Sequence, residues 1–210
     1  MDAQRNTTRI FLWRHPEVQG FKEGKFFGHQ DVGLSKDGRE QLRAMAKRMT
    51  VERLTAVYCS DLQRTRLAAE AIGRLQRPRR KPEALEALRE LNLGVWEGLT
   101  YNDISKHYPA DLAARYQDLA GFRIAEGESL CDLAERVVPA FMHMVGENKG
   151  GRVCVVAHAG VNRVILAKLM GAPLDRVFRL GQDYACLNVI DVFEDGLPLI
   201  QHLNLPAAPD

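Results

Sequence analysis

The chain has little cysteine, no excess of either charge and no long apolar run, and each shortage closes off a class of protein. Four cysteines occur in 210 residues. Cys59, Cys131, Cys154 and Cys186 lie far apart, with no Cys-x-x-Cys and no histidine at zinc-ligand spacing. The pattern encodes neither a disulfide scaffold nor a metal site. Cys59 and Cys154 fall in apolar runs that read as buried strands, where a thiol behaves as a small hydrophobe. Lysine and arginine number 29 against 27 acidic residues, a formal net charge of +2, whereas a general nucleic-acid binder carries a clear basic excess. The basic run Arg77-Pro78-Arg79-Arg80-Lys81 reads as a solvated loop. No stretch approaches the roughly 18 apolar residues of a membrane span, and Met1-Asp2-Ala3-Gln4-Arg5-Asn6 lacks the apolar core of a signal peptide. The expectation is a reduced, cytoplasmic protein with neither a membrane nor a nucleic-acid partner.

What is present is an ordinary globular composition, 46% hydrophobic and 27% charged, in a chain long enough for one sizeable core. Arg9-Ile10-Phe11-Leu12-Trp13 is a short hydrophobic strand. Ser35 is a good N-cap for a helix in which Leu42, Met45, Ala46 and Met49 recur at helical spacing. Ala56-Val57-Tyr58-Cys59 reads as a second strand, and Leu67, Ala68, Ala71, Ile72 and Leu75 mark a second helix. Glu83 to about Gly127 is less regular. Ser129-Leu130-Cys131-Asp132 matches a capping box opening a long helix. Arg152–Ala157 is a continuous apolar run of the kind buried in a parallel sheet. A helix from about Val161 to Met170 and two strands near Cys186–Val192 and Leu199–Leu203 close the chain. This order predicts a three-layer α/β/α sandwich with a mostly parallel central sheet and a closing antiparallel pair. Residues 1–210 read as one domain, with 91–127 as an irregular insertion or cap near the site.

In an open α/β sheet, ligands sit beyond the carboxyl ends of the strands. His15 follows the first strand there, with Arg14 before it, and His158 follows Val153–Ala157. Ser60-Asp61-Leu62-Gln63-Arg64-Thr65 follows the second strand and brings Arg64 to the start of a helix. Two arginines and two histidines in one volume repel each other unless an anion is present. Guanidinium forks suit phosphate oxygens, and a neutral imidazole can attack phosphorus. Such a site needs no metal, because cationic side chains take over the charge neutralisation. An alkoxide is a poor leaving group without a proton donor, so a nearby carboxyl group is required; Glu90 and Glu97 compete for that role.

Arg14-His15-Pro16-Glu17, the Ser60–Thr65 segment, Glu90 ahead of Gly94-Val95-Trp96-Glu97-Gly98, and Ala157-His158-Ala159-Gly160-Val161 together resemble the histidine phosphatase superfamily. The match spans about residues 9 to 170 in the family's order. The resemblance implies the phosphoglycerate mutase-like fold and a metal-independent phosphoric monoester hydrolase without a cofactor, acting on a small phosphorylated metabolite. By resemblance His15 forms the phosphohistidine, while Arg14, Arg64 and His158 hold the phosphate. Glu90 is the general acid and then the base that activates water, with Glu97 structural beside Trp96. Gly28, His29 and Ala159 fall where the family approaches its substrate, and Glu17 orients the loop. Pro16 departs from the family, which usually has glycine there. Length and the loop from Gly28 to Ser35 look most like α-ribazole phosphatases and broad-specificity members. The alternatives are a bisphosphoglycerate-dependent phosphoglycerate mutase, a phosphoprotein phosphatase and a non-catalytic phosphate-binding scaffold. Oligomeric state is left open, a homodimer among the options.

Overall fold

The computed structural model describes residues 7–208. Its elements run β1 (Thr8–Arg14), α1 (Lys36–Arg48), β2 (Ala56–Cys59), α2 (Gln63–Leu75), β3 (Glu83–Ala84), α3 (Tyr101–His107), α4 (Pro109–Gln117), α5 (Leu130–Glu147), β4 (Arg152–Ala157), α6 (Ala159–Met170), β5 (Leu187–Val192) and β6 (Pro198–Leu205). They form one sheet in the order β3-β2-β4-β1-β5-β6. The four strands from β3 to β1 are parallel, β5 runs antiparallel to β1, and β6 runs antiparallel to β5.

Strand alternation decides the layers, because successive side chains leave a strand on opposite faces. Ile10 and Leu12 of β1 join Val153, Val155 and Ala157 of β4 in one core, packed against Leu133, Val137 and Phe141 of α5 and Val164 and Ile165 of α6. Phe11 and Trp13 face the other way. With Cys154 and Val156 they pack on Met45 and Ala46 of α1 and Ala68, Ala69 and Ile72 of α2. The sheet is therefore buried on both faces, which explains why β4 reads as an unbroken apolar run. This is the α/β/α sandwich expected, with the closing pair antiparallel.

Differences from expectation are local. β3 is two exposed residues beside β2, too short and polar to leave a pattern. The basic run joins α2 to β3, where Arg80 Nε donates to the Leu54 carbonyl. The last α-helix starts at Ala159, immediately after His158 and slightly ahead of the expected start near Val161. The irregular segment holds a 3₁₀ turn at Gly94–Trp96 followed by α3 and α4. No described helix is long and apolar enough to cross a membrane.

Register delivers the site. Arg14 pairs with Ala157 and Cys59 with Val156, so the residues following β1, β4 and β2 emerge side by side at one edge. Both expected caps form: Ser35 Oγ accepts from the Gly38 N–H, and Ser129 and Asp132 complete a reciprocal box at the start of α5. Ser129→Ala should lower the unfolding free energy by about 1–2 kcal/mol, read as a lower denaturant midpoint at constant slope; an unmoved midpoint would show that the box contributes nothing.

Candidate active site

The chain leaves β1 through Arg14 and turns at His15, which is nearly buried. His15 N–H donates to the Ala157 carbonyl, and the Ala185 N–H donates to the His15 carbonyl, so the turn is fastened to β4 and to the segment that leads into β5. His15 Nδ1 lies 2.8 Å from the Pro16 carbonyl oxygen. A carbonyl only accepts, so Nδ1 carries the proton and Nε2 keeps its lone pair. Proline has lost its N–H, but the local geometry uses its C=O.

The two arginines are held differently. Arg14 Nη1 donates to the Gln182 carbonyl at 2.6 Å, and its guanidinium stacks 3.6 Å over the Tyr184 ring, while its buried Nε has no partner among the described residues. Arg64, on the first turn of α2, is 1% exposed. It donates to the carbonyls of Gly28 and Gln30 at 2.6 and 3.0 Å. A guanidinium bound to carbonyls keeps its full charge, so Arg64 is a buried cation without an ion-pair partner of its own among the described residues.

His158 is fully buried, with its ring centroid 5.0 Å from that of His15. Its Nε2 is 2.7 Å from Ser60 Oγ, which is 2.8 Å from Thr65 Oγ1. Thr65 Oγ1 in turn donates to the carbonyls of Ser60 and Leu62. This relay fixes the ring, and the buried Nδ1 has no partner among the described residues. Ser60 and Thr65, quoted in the sequence only as flanks of Arg64, thus orient His158.

Glu90 follows a 3₁₀ turn and lies against the start of α6. Its carboxylate accepts from the Leu91 N–H at 2.9 Å and from the Gly160 N–H at 3.1 Å. A Cβ at position 160 would collide with that carboxylate, so glycine there is a condition of the approach. The Glu90 carbonyl accepts from His29 Nε2 and from Arg136 Nη2, and Arg136 forms a paired contact with Glu128. The competitor Glu97 accepts from the N–H groups of Gly28 and His29 at 2.9 and 2.6 Å. It holds the loop that in turn grips Arg64. Glu17 accepts from Ser35 Oγ and ties the loop after His15 to α1.

A cavity of about 470 Å³ opens at this point, lined by Arg14, His15, Arg64, Glu90 and Ala159 among others. His158, Gly28 and His29 stand behind the lining. Pattern reading missed Tyr184, Arg115 and Arg163, which do line it; they come from segments without a motif. Among the described residues no group of three His, Cys, Asp or Glu side chains is placed to hold a metal ion.

With the geometry in place, comparison with known proteins is informative. The family model of the histidine phosphatase superfamily (branch 1) matches residues 10–206, and the chain belongs to that family. Mouse 6-phosphofructo-2-kinase/fructose-2,6-bisphosphatase 1 is 33% identical over 170 residues, which cover 80% of this chain and 34% of the relative. The chain thus spans about a third of the length of such curated relatives. Among solved structures, mycobacterial glucosyl-3-phosphoglycerate phosphatase is similar, with a TM-score of 0.84 and 25% identity, over 95% of this chain and 99% of that one. An α-ribazole phosphatase from Shigella flexneri shares the fold, with a TM-score of 0.86 and 24% identity, over 97% and 99% of the two chains. Family and neighbours together support a phosphatase.

The electrostatics of the two imidazoles have a measurable consequence. Burial first, then Arg64 and Arg14, holds His15 well below its ordinary value of 6.5, against the opposing pull of the Pro16 bond. Burial, then Arg64, His15 and Arg14, does the same to His158. The unfolded chain takes up these protons near pH 6.5 and the folded chain does not. The stability at stake is complete above about pH 6.5 and falls as the pH drops below it, with a slope of up to about 1.4 kcal/mol per unit for each histidine. Denaturant titrations between about pH 7.5 and 5.5 should show this slope, and His15→Gln should reduce it. An undiminished slope in that variant would overturn the assignment.

Proposed function

We propose that the protein hydrolyses a small phosphomonoester through a phosphohistidine on His15. The observation that carries this reading is the tautomer: Nδ1 donates to the Pro16 carbonyl, which leaves Nε2 as a neutral nucleophile in a cavity shared with two guanidinium groups and a carboxyl. In the first step His15 Nε2 attacks phosphorus and the P–O bond to the leaving group breaks. Arg14 and Arg64 offset the charge on the phosphoryl oxygens, His158 supports them from behind, and Glu90 gives a proton to the departing alkoxide. In the second step Glu90, now a carboxylate, takes a proton from water as its oxygen attacks the phosphohistidine. Inorganic phosphate leaves and both residues return to their starting states.

Residues 91–127 are read as a cap on the single domain, because α3 and α4 contribute Tyr101, Ile104, Leu112 and Arg115 to the cavity wall. Gly28 and His29 then act on substrate indirectly, by positioning Arg64 and Glu90. Ala159 lies at the cavity wall beside Gly160.

Incubation with a 32P-labelled phosphomonoester, quenched in base, should leave acid-labile label on His15, and His15→Ala should lose both label and turnover. Full turnover in that variant would sink the mechanism. Label passed to a second phosphoglycerate, with no release of inorganic phosphate, would establish a mutase instead.

Glu90→Gln is expected to slow hydrolysis of alkyl phosphates on the order of 10²–10⁴-fold, the usual contribution of a positioned acid. Aryl esters with good leaving groups should be slowed much less in their first step. Equal slowing of both would remove Glu90 from the role of acid.

A further inference from the structure

Beyond the phosphate end, the cavity changes character. Phe26, Phe27, Leu93, Trp96, Ile104 and Phe178 face it, and Leu112 and Leu119 extend the wall along the cap. No aspartate, asparagine, glutamine, serine or threonine is among the described residues that line it. A polyol in this space would exchange water for aliphatic and aromatic carbon, and its hydroxyl groups would find few acceptors. An apolar body would lose nothing and would gain burial.

Lys25, Arg163, Tyr101, Tyr116 and Tyr184 also line the cavity, but Arg115 and Trp96 are the ones of its wall beyond the phosphate end with a buried polar atom left unpartnered among the described residues. Arg115, from α4, sits 5.8 Å from the Trp96 ring and 6.0 Å from that of Phe178. Its buried Nη1 has no partner among the described residues, and neither has Trp96 Nε1. Both are donors. What the wall lacks is an acceptor supplied by the ligand, not a donor.

We propose that the substrate's leaving group is a mainly apolar aryl or alkyl body carrying one hydrogen-bond acceptor, such as a carboxylate or carbonyl, directed at Arg115, and that sugar and glycerol phosphates are poor substrates. This rests on the phosphomonoesterase reading above and names its substrate class. The phosphate group docks at Arg14 and Arg64, the body fills the space between Trp96 and the cap, and Arg115 reads the far end. Tyr101 and Tyr116, joined through their hydroxyls at 3.1 Å, hold α3 and α4 together beside that end.

The test uses alkylphosphonates, whose C–P bond the enzyme does not cleave, so binding is read without turnover. Titration calorimetry from methyl- to hexylphosphonate should show Kd falling about two- to fourfold per methylene, with propylphosphonate binding more tightly than 2,3-dihydroxypropylphosphonate. A flat series, or tighter binding of the diol, overturns the proposal. Phe178→Ser, at a half-exposed position outside the core, should flatten the series; an unchanged slope would also count against it. For the far end, 4-carboxyphenylphosphonate should bind about tenfold more tightly than phenylphosphonate, and Arg115→Met should erase that difference. A difference that survives removes Arg115 from the proposal. The same series as phosphate esters separates the two readings. Ester hydrolysis with no chain-length dependence leaves the phosphatase standing and refutes the apolar class. Chain-length-dependent phosphonate binding with no ester hydrolysis supports the apolar class and refutes the phosphatase.

Discussion

Positive charge held out of water is the constraint around which this molecule is arranged. Arg64 is almost wholly buried, Arg14 lines the same cavity, and two imidazoles stand 5.0 Å apart at the site. Buried cations are normally paired with carboxylates. Here the guanidinium of Arg64 is bound by two backbone carbonyls, and that of Arg14 by one carbonyl and the face of Tyr184. Dipoles and an aromatic quadrupole steady a cation without cancelling its charge, so the site keeps its attraction for an anion. Burial first, and then the same field, holds both histidines well below their ordinary value, which favours the neutral imidazole, the form that can attack.

Holding such a cluster in place demands a rigid surround, and the hydrogen bonds supply it in chains. Glu97 fixes the N–H groups of Gly28 and His29, the Gly28 carbonyl fixes Arg64, and the His29 ring fixes the Glu90 carbonyl. Arg136 reaches the same carbonyl from α5 and is itself paired with Glu128. Glu90 is therefore pinned at its backbone from two sides and at its carboxylate by the start of α6. Glu97, the rival carboxylate, belongs to this support; Glu90 lines the cavity and Glu97 does not.

The parts legible in the sequence are those where function and local pattern share contiguous residues. Strands β1, β2 and β4 show as apolar runs because they are interior strands, and Arg14, His15, Arg64 and His158 adjoin those strands. Ser35 and Ser129 are visible because capping is settled within four residues. Tyr184 was invisible because its partnership with Arg14 spans 170 positions and follows no repeat. β3 hid because two exposed residues have no period. The segment between Tyr101 and Gly127 showed no motif because its role is collective: each helix gives a few side chains to a wall completed by Phe26, Trp96 and Phe178.

Pro16 joins these threads. A proline after the nucleophile removes a backbone donor and restricts φ, which would matter if the loop cradled phosphate with the N–H of residue 16. Yet the contact this loop makes to His15 is through the carbonyl of residue 16, which proline retains. The restricted φ narrows the positions open to that carbonyl, and so to the ring it holds. The loss of the N–H therefore leaves this contact to His15 in place. The selectivity proposed for this cavity rests on other parts of its wall, where aromatic and aliphatic side chains meet Arg115, whose Nη1 has no partner among the described residues.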